Sequence, residues 1–76
     1  MLGMKLTHHL SAYPICTPSR VSALTGRYAS RAGMAHQPNT PLVVIYAAGR
    51  IGITENQTTW PKILQKAGYK TGAFGK

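Results

Sequence analysis

Tyr13-Pro14-Ile15-Cys16-Thr17-Pro18-Ser19-Arg20, running on through Val21-Ser22-Ala23-Leu24 to Thr25-Gly26-Arg27, is the stretch on which the reading of this chain turns. It holds the only cysteine, and it packs a turn, a helix start and a helix stop into fifteen residues. Pro18 fixes its own φ and disfavours helix at Thr17. The pattern therefore predicts a helix over about 18–25, with Thr17 as N-cap and Gly26 as the stop. Val21 and Leu24, three apart, would pack inward. Cys16 then lies just before the helix N-terminus, where backbone N–H groups point outward and the dipole favours anions. Arg20 adds a permanent guanidinium about one turn away. An oxyanion such as sulfate or phosphate would be held well beside Cys16. The bland alternative is a small buried residue at a loop–helix junction.

Working outward, composition sets limits. Seventy-six residues allow one small domain at most. Hydrophobic content is 43%, too high to imply disorder. A lone cysteine excludes an internal disulfide. No run approaches the ~20 apolar residues of a membrane span. Met1 to Leu6 is too short and too weakly apolar for a signal peptide. Nine Lys and Arg stand against one acid, Glu55, and there is no Asp, for a net charge of +8. Such a balance suits a nucleic-acid or polyanion binder, or a piece of a larger protein whose acids lie elsewhere. The second reading is preferred, and no nucleic-acid partner is expected. The basic residues are spread from Lys5 to Lys76, without a basic run, zinc-finger spacing or a base-stacking stripe.

Residues 4–10 alternate loosely and predict a short strand. Neighbouring His8 and His9 would face opposite ways on it, so they are read as structural or surface histidines. Residues 28–41 read as irregular, broken by Gly33, Pro38, Asn39 and Pro41. Arg31 there is read as structural, and His36 as structural or exposed. Leu42 to Ala48 is the most apolar run and predicts a buried strand or packed loop. Gly49 and Gly52 mark a turn but not a dinucleotide loop. Asn56-Gln57-Thr58 is an N-glycosylation sequon, which matters only in a secretory chain. Thr58 or Thr59 can cap a helix over about 60–67, where Trp60, Ile63, Leu64 and Ala67 form an apolar stripe meant for a core. Gly68 stops it, and residues 69–76 read as a strand, completing an αβ unit.

Cys16, Pro18, Ser19, Arg20, Leu24, Thr25, Gly26 and Arg27 together resemble the signature of the type I sulfatases, meeting each of its fixed positions. Tyr28 to Met34 is similar to the segment just after that signature in arylsulfatases. Ala67-Gly68-Tyr69 and Gly75-Lys76 resemble a second landmark, a helix leading into a strand that ends Gly-Lys-Trp-His; the Trp and His are not in this sequence. The resemblance spans nearly the whole chain, is loosest over about 42–58, and is closest to the arylsulfatase and steroid-sulfatase branch. It implies an alkaline-phosphatase-like α/β sandwich several times longer than this chain. Residues 1–76 would then be part of the catalytic domain, lacking both its ends.

The resemblance also implies chemistry. Cys16 would be oxidised to formylglycine in the endoplasmic reticulum by a dedicated formylglycine-generating enzyme that reads Cys16, Pro18 and Arg20. Residue 16 would then be the nucleophile and one ligand of a divalent cation, usually Ca²⁺. Arg20 would hold the hydrated aldehyde, and Lys76 would touch a sulfate oxygen. Ser19, Thr25, Gly26 and Arg27 would support the loop and helix. The implied compartment is the secretory pathway: lysosome, endoplasmic reticulum or cell exterior. The family's Asp and Asn metal ligands and its catalytic histidines are absent, so this polypeptide alone is expected to be inactive. A free-standing basic binding protein for nucleic acid or sulfated polymers, and a non-catalytic sulfatase relative, remain the rival readings. A cysteine-loop phosphatase is rejected, because its arginine six positions after the cysteine falls on Ser22.

Overall fold

The structure, a computed structural model, describes residues 2–35 and 51–75. Two helices are present among them: α1, Cys16–Thr25, and α2, Trp60–Lys66.

α1 begins two residues earlier than the sequence suggests. Ile15 is the N-cap, extended at φ −130° and ψ 147° without a side-chain cap bond. Ser19 N–H donates to Ile15 O at 3.0 Å, which closes the first turn. Pro18 therefore sits inside that turn rather than at its head. The N–H groups of the first turn have no intrahelical acceptor, so a proline there sacrifices no hydrogen bond. Proline marks the first turn, not the first residue, and the expected Thr17 cap is corrected to Ile15. The far end is where expected. Gly26 adopts φ 66°, and its N–H donates to Ser22 O at 2.9 Å, an αL stop that a residue with a Cβ enters only with strain.

The inner face of α1 carries Pro18, Val21 and Ser22, all buried. Ser22 hides its hydroxyl by donating to Pro18 O at 2.9 Å. Leu24, expected inside, is only half-buried. The face packs on a tight coil over 28–34, where Arg31 N–H donates to Tyr28 O at 2.9 Å and Met34 N–H to Ala29 O at 2.8 Å. Val21, Ala32 and Met34 form the core, with Ile53 packed against it from the second described segment.

α2 starts at the expected residue, with Thr59 as N-cap and Pro61 in its first turn. It ends one residue sooner than predicted, in a Schellman arrangement: Tyr69 N–H reaches Leu64 O and Gly68 N–H reaches Gln65 O, both at 3.0 Å, with Gly68 at φ 92°. None of its residues is buried. Trp60 is 53% exposed and Ile63 55%, so the core packing expected of Trp60 is not found among the described residues. The stripe is real, but the small core lies under α1, and the contact of α2 with α1 leaves every residue of α2 short of burial.

No strand forms among the described residues. Residues 4–10 and 69–75, expected as strands, are irregular. Alternation supplies a face, but a strand exists only when a neighbour takes its N–H and C=O groups. The two helices fit an α/β chain, while the sandwich itself is not displayed. The expected Leu42 to Ala48 element, His36 and Lys76 lie outside the described residues. No described helix is long and apolar enough to cross a membrane.

Candidate active site

The first two turns of α1 separate two faces. Pro18, Val21 and Ser22 point into the protein. Cys16 and Arg20, four residues apart, share the opposite side, and both are exposed. Cys16 is the first residue of the helix rather than its forerunner, which is a correction to the expected placement. The correction keeps the thiol beside the outward N–H groups of the first turn and sets the guanidinium one turn along the same face.

Hydroxyls fasten the loop before this site to the helix. Ser11 Oγ donates to Tyr13 O at 3.1 Å. Ser19 Oγ is hydrogen-bonded to Ser11 Oγ, and since the Ser11 proton is committed, Ser19 supplies this one. Ser19 thus ties residues 11–13 down just ahead of Cys16. At the other end, Thr25 Oγ1 donates to Val21 O at 2.8 Å and accepts from Arg27 N–H at 3.3 Å. Thr25 and Gly26 together set the direction in which Arg27 leaves the helix. Arg27 is exposed.

A cleft of about 890 Å³ opens alongside. His9, Ser11, Ser19, Ala23, Arg27 and Arg31 are among its walls. It takes the side of α1 next to the Cys16–Arg20 face, and neither of those two residues lines it. Arg27 and Ser19 are reached from the sequence, but His9 is read there as a structural or surface histidine and Arg31 as structural. Their convergence depends on how the amino-terminal segment and the 28–34 coil fold back on α1, and neither approach has a local signal. His8, the neighbour of His9, is hydrogen-bonded to Thr7 Oγ1 at 3.0 Å, and both histidines line a second, smaller hollow, so the expectation that they face opposite ways on a strand is not met.

The donor set does not fit a calcium site. Ca²⁺ takes six to eight oxygens, mostly carboxylates and carbonyls. Among the described residues no group of three or more His, Cys, Asp or Glu could hold a metal. The single carboxylate, Glu55, belongs to the turn ahead of α2, where its backbone carbonyl accepts from Lys62 Nζ at 3.2 Å. Arg20, one turn along the exposed face from Cys16, carries a guanidinium, which repels a cation.

Comparison with known proteins bears on the same residues. The family model described as Sulfatase matches residues 2–76. Arylsulfatase D of Homo sapiens is 49% identical over 74 residues, covering 97% of this chain and 12% of that protein. Arylsulfatase H of Canis lupus familiaris is 47% identical over 74 residues, covering 97% of this chain and 13% of the relative. Steryl-sulfatase of Rattus norvegicus is also 47% identical over 74 residues, again 97% of this chain and 13% of the relative. The chain thus spans about an eighth of the length of these curated relatives. No solved structure matches.

Proposed function

This chain belongs to the sulfatase family, and from that premise we propose that it is the nucleophile-bearing part of the catalytic domain of a sulfuric ester hydrolase. The observation that carries the proposal is the pairing of Cys16 and Arg20 on the exposed face of the first turns of α1, with Pro18 holding the other face down. Residue 16 acts as formylglycine, made from the thiol by a formylglycine-generating enzyme, and the aldehyde is hydrated to a geminal diol. One hydroxyl attacks the sulfur of a sulfate monoester. The S–O bond to the alcohol breaks, and the alcohol leaves with a proton. The second hydroxyl then gives up its proton, the C=O re-forms, and the bond from carbon to the sulfate oxygen breaks. Arg20 holds the diol and offsets the charge of the sulfate oxygens, where fixed cations lower the barrier. Lys76 takes a sulfate oxygen.

The fold of the complete domain is the alkaline-phosphatase-like α/β sandwich, with these residues as one portion. Calcium, if bound there, takes its carboxylates from outside these residues and would add positive charge at the same oxygens. The setting is the secretory pathway. The 76 residues alone are inactive, because the carboxylate ligands are not among them.

The test uses the full-length protein made in cells with the modifying enzyme. It should hydrolyse a chromogenic aryl sulfate, residue 16 should carry the mass of formylglycine, and Cys16→Ala should abolish turnover. Undiminished turnover by Cys16→Ala, or an intact thiol in active protein, sinks the reading.

A further inference from the structure

Asn56 belongs to the sequon Asn56-Gln57-Thr58, and its surroundings decide whether that triplet can be used. Residues 54–57 form a tight turn, closed by Gln57 N–H donating to Thr54 O at 3.0 Å. Thr54 Oγ1 donates to Asn56 Oδ1 at 2.5 Å, which leaves Nδ2 as the other end of the amide. Asn56 and Thr58 are both exposed.

Exposure in this chain would mean little if the same surface had to be buried in the longer protein, and α2 settles which side that is. Its apolar stripe, Trp60, Ile63 and Leu64, runs along one face. Lys62 and Lys66 lie on the polar face, and a small hollow beside Asn56 is lined by these two lysines and by Ile63 at the edge of the stripe. Lys62 Nζ donates to Glu55 O at 3.2 Å, which fastens the turn to the polar side of the helix. When the apolar stripe finds a core, the lysines stay in water. Asn56 stays with them.

We propose that Asn56 carries an N-linked glycan, a modification that rests on the secretory setting proposed above. The step is a glycosyl transfer from a lipid-pyrophosphate-linked oligosaccharide by the transferase that uses it. Nδ2 forms a bond to the anomeric carbon and loses a proton, the bond from that carbon to the pyrophosphate oxygen breaks, and the lipid pyrophosphate leaves. No oxidant or reductant is consumed. The glycan projects from the polar side of α2, away from the Trp60 stripe.

The full-length protein, isolated from cells of the species that makes it, is digested and analysed by mass spectrometry before and after amidase release of N-glycans. The Asn56 peptide should be glycosylated, and release should leave the mass of an aspartate at that position. When the full-length gene is expressed in such cells, Thr58→Ala should lose the corresponding gel shift with Asn56 intact, and Thr58→Ser should keep it. An unmodified Asn56 peptide overturns the proposal. The state of residue 16 in the same digest tells the two readings apart: formylglycine there with a bare Asn56 leaves the sulfatase reading standing, while a thiol there with a bare Asn56 removes both.

Discussion

On the function proposed above, the distinction between one hydroxyl and two at residue 16 governs the chemistry. A serine can attack sulfur once, but it has no second hydroxyl with which to expel sulfate. In the full-length protein, Cys16→Ser should therefore lose steady-state turnover by about 10⁴-fold or more, the scale on which loss of a nucleophile acts. It should also accumulate a sulfated serine, seen as added mass on the peptide containing position 16. Arg20 makes a different prediction. It is exposed, so Arg20→Ala should leave the melting temperature nearly unchanged, within the effect of about 0.5 kcal/mol. Turnover should fall roughly 10²–10³-fold, as when a charge-stabilising donor is removed. Arg20→Lys should recover only part of that loss, because an ammonium cannot reproduce the planar fork of a guanidinium. The pairing of Cys16 with Arg20 is legible in sequence because it depends on spacing along a single helix. The hollow joining His9, Arg27 and Arg31 is not, because it depends on segments that meet only after folding.

Among the elements, each helix has one boundary where the sequence puts it, the stop of α1 and the start of α2, and strands are hardest. Gly26 and Gly68 stop their helices because left-handed backbone is cheap for glycine alone. A Cβ at Gly26 would meet no atom within 4 Å, so Gly26→Ala pays only for its backbone. That cost should be about 1–2 kcal/mol, measured as a drop in the melting temperature of the full-length protein, with Gly26→Asn milder. The start of α1 is displaced by two residues from its expected position because a proline anywhere in the first turn satisfies the same rule. Ser22 has no signal in the sequence, yet its buried hydroxyl is bonded to Pro18 O. Ser22→Ala should cost about 1 kcal/mol, the net worth of one such bond. The residues over 4–10 and 69–75 have strand-like composition, but composition does not supply the partner that a ladder requires.

At the scale of the whole molecule, the described residues bury very little. Val21, Ala29, Ala32 and Met34, with Pro18, make up the described interior, while Leu6, Leu10, Trp60, Ile63 and Phe74 remain exposed. Two alanines and a proline remove little apolar area from water, at roughly 25 cal/mol per Å². The 76-residue chain by itself should show no cooperative thermal transition in the near-ultraviolet circular dichroism of Trp60. The full-length protein should show one, and Ile63→Asp within it should lower the midpoint, since the α2 stripe then faces a core.

Pro18 has a bearing on how such a protein is made. It is less than 2% exposed, although Cys16 and Arg20 on either side of it are open to solvent. An enzyme that reads all three residues cannot do so once α1 has docked on the 28–34 coil. If residue 16 is oxidised as proposed, that step belongs to the nascent, extended chain, and folding closes the window. Slower folding would give the oxidising enzyme longer to act, and a molecule that folds first keeps its thiol for the rest of its life.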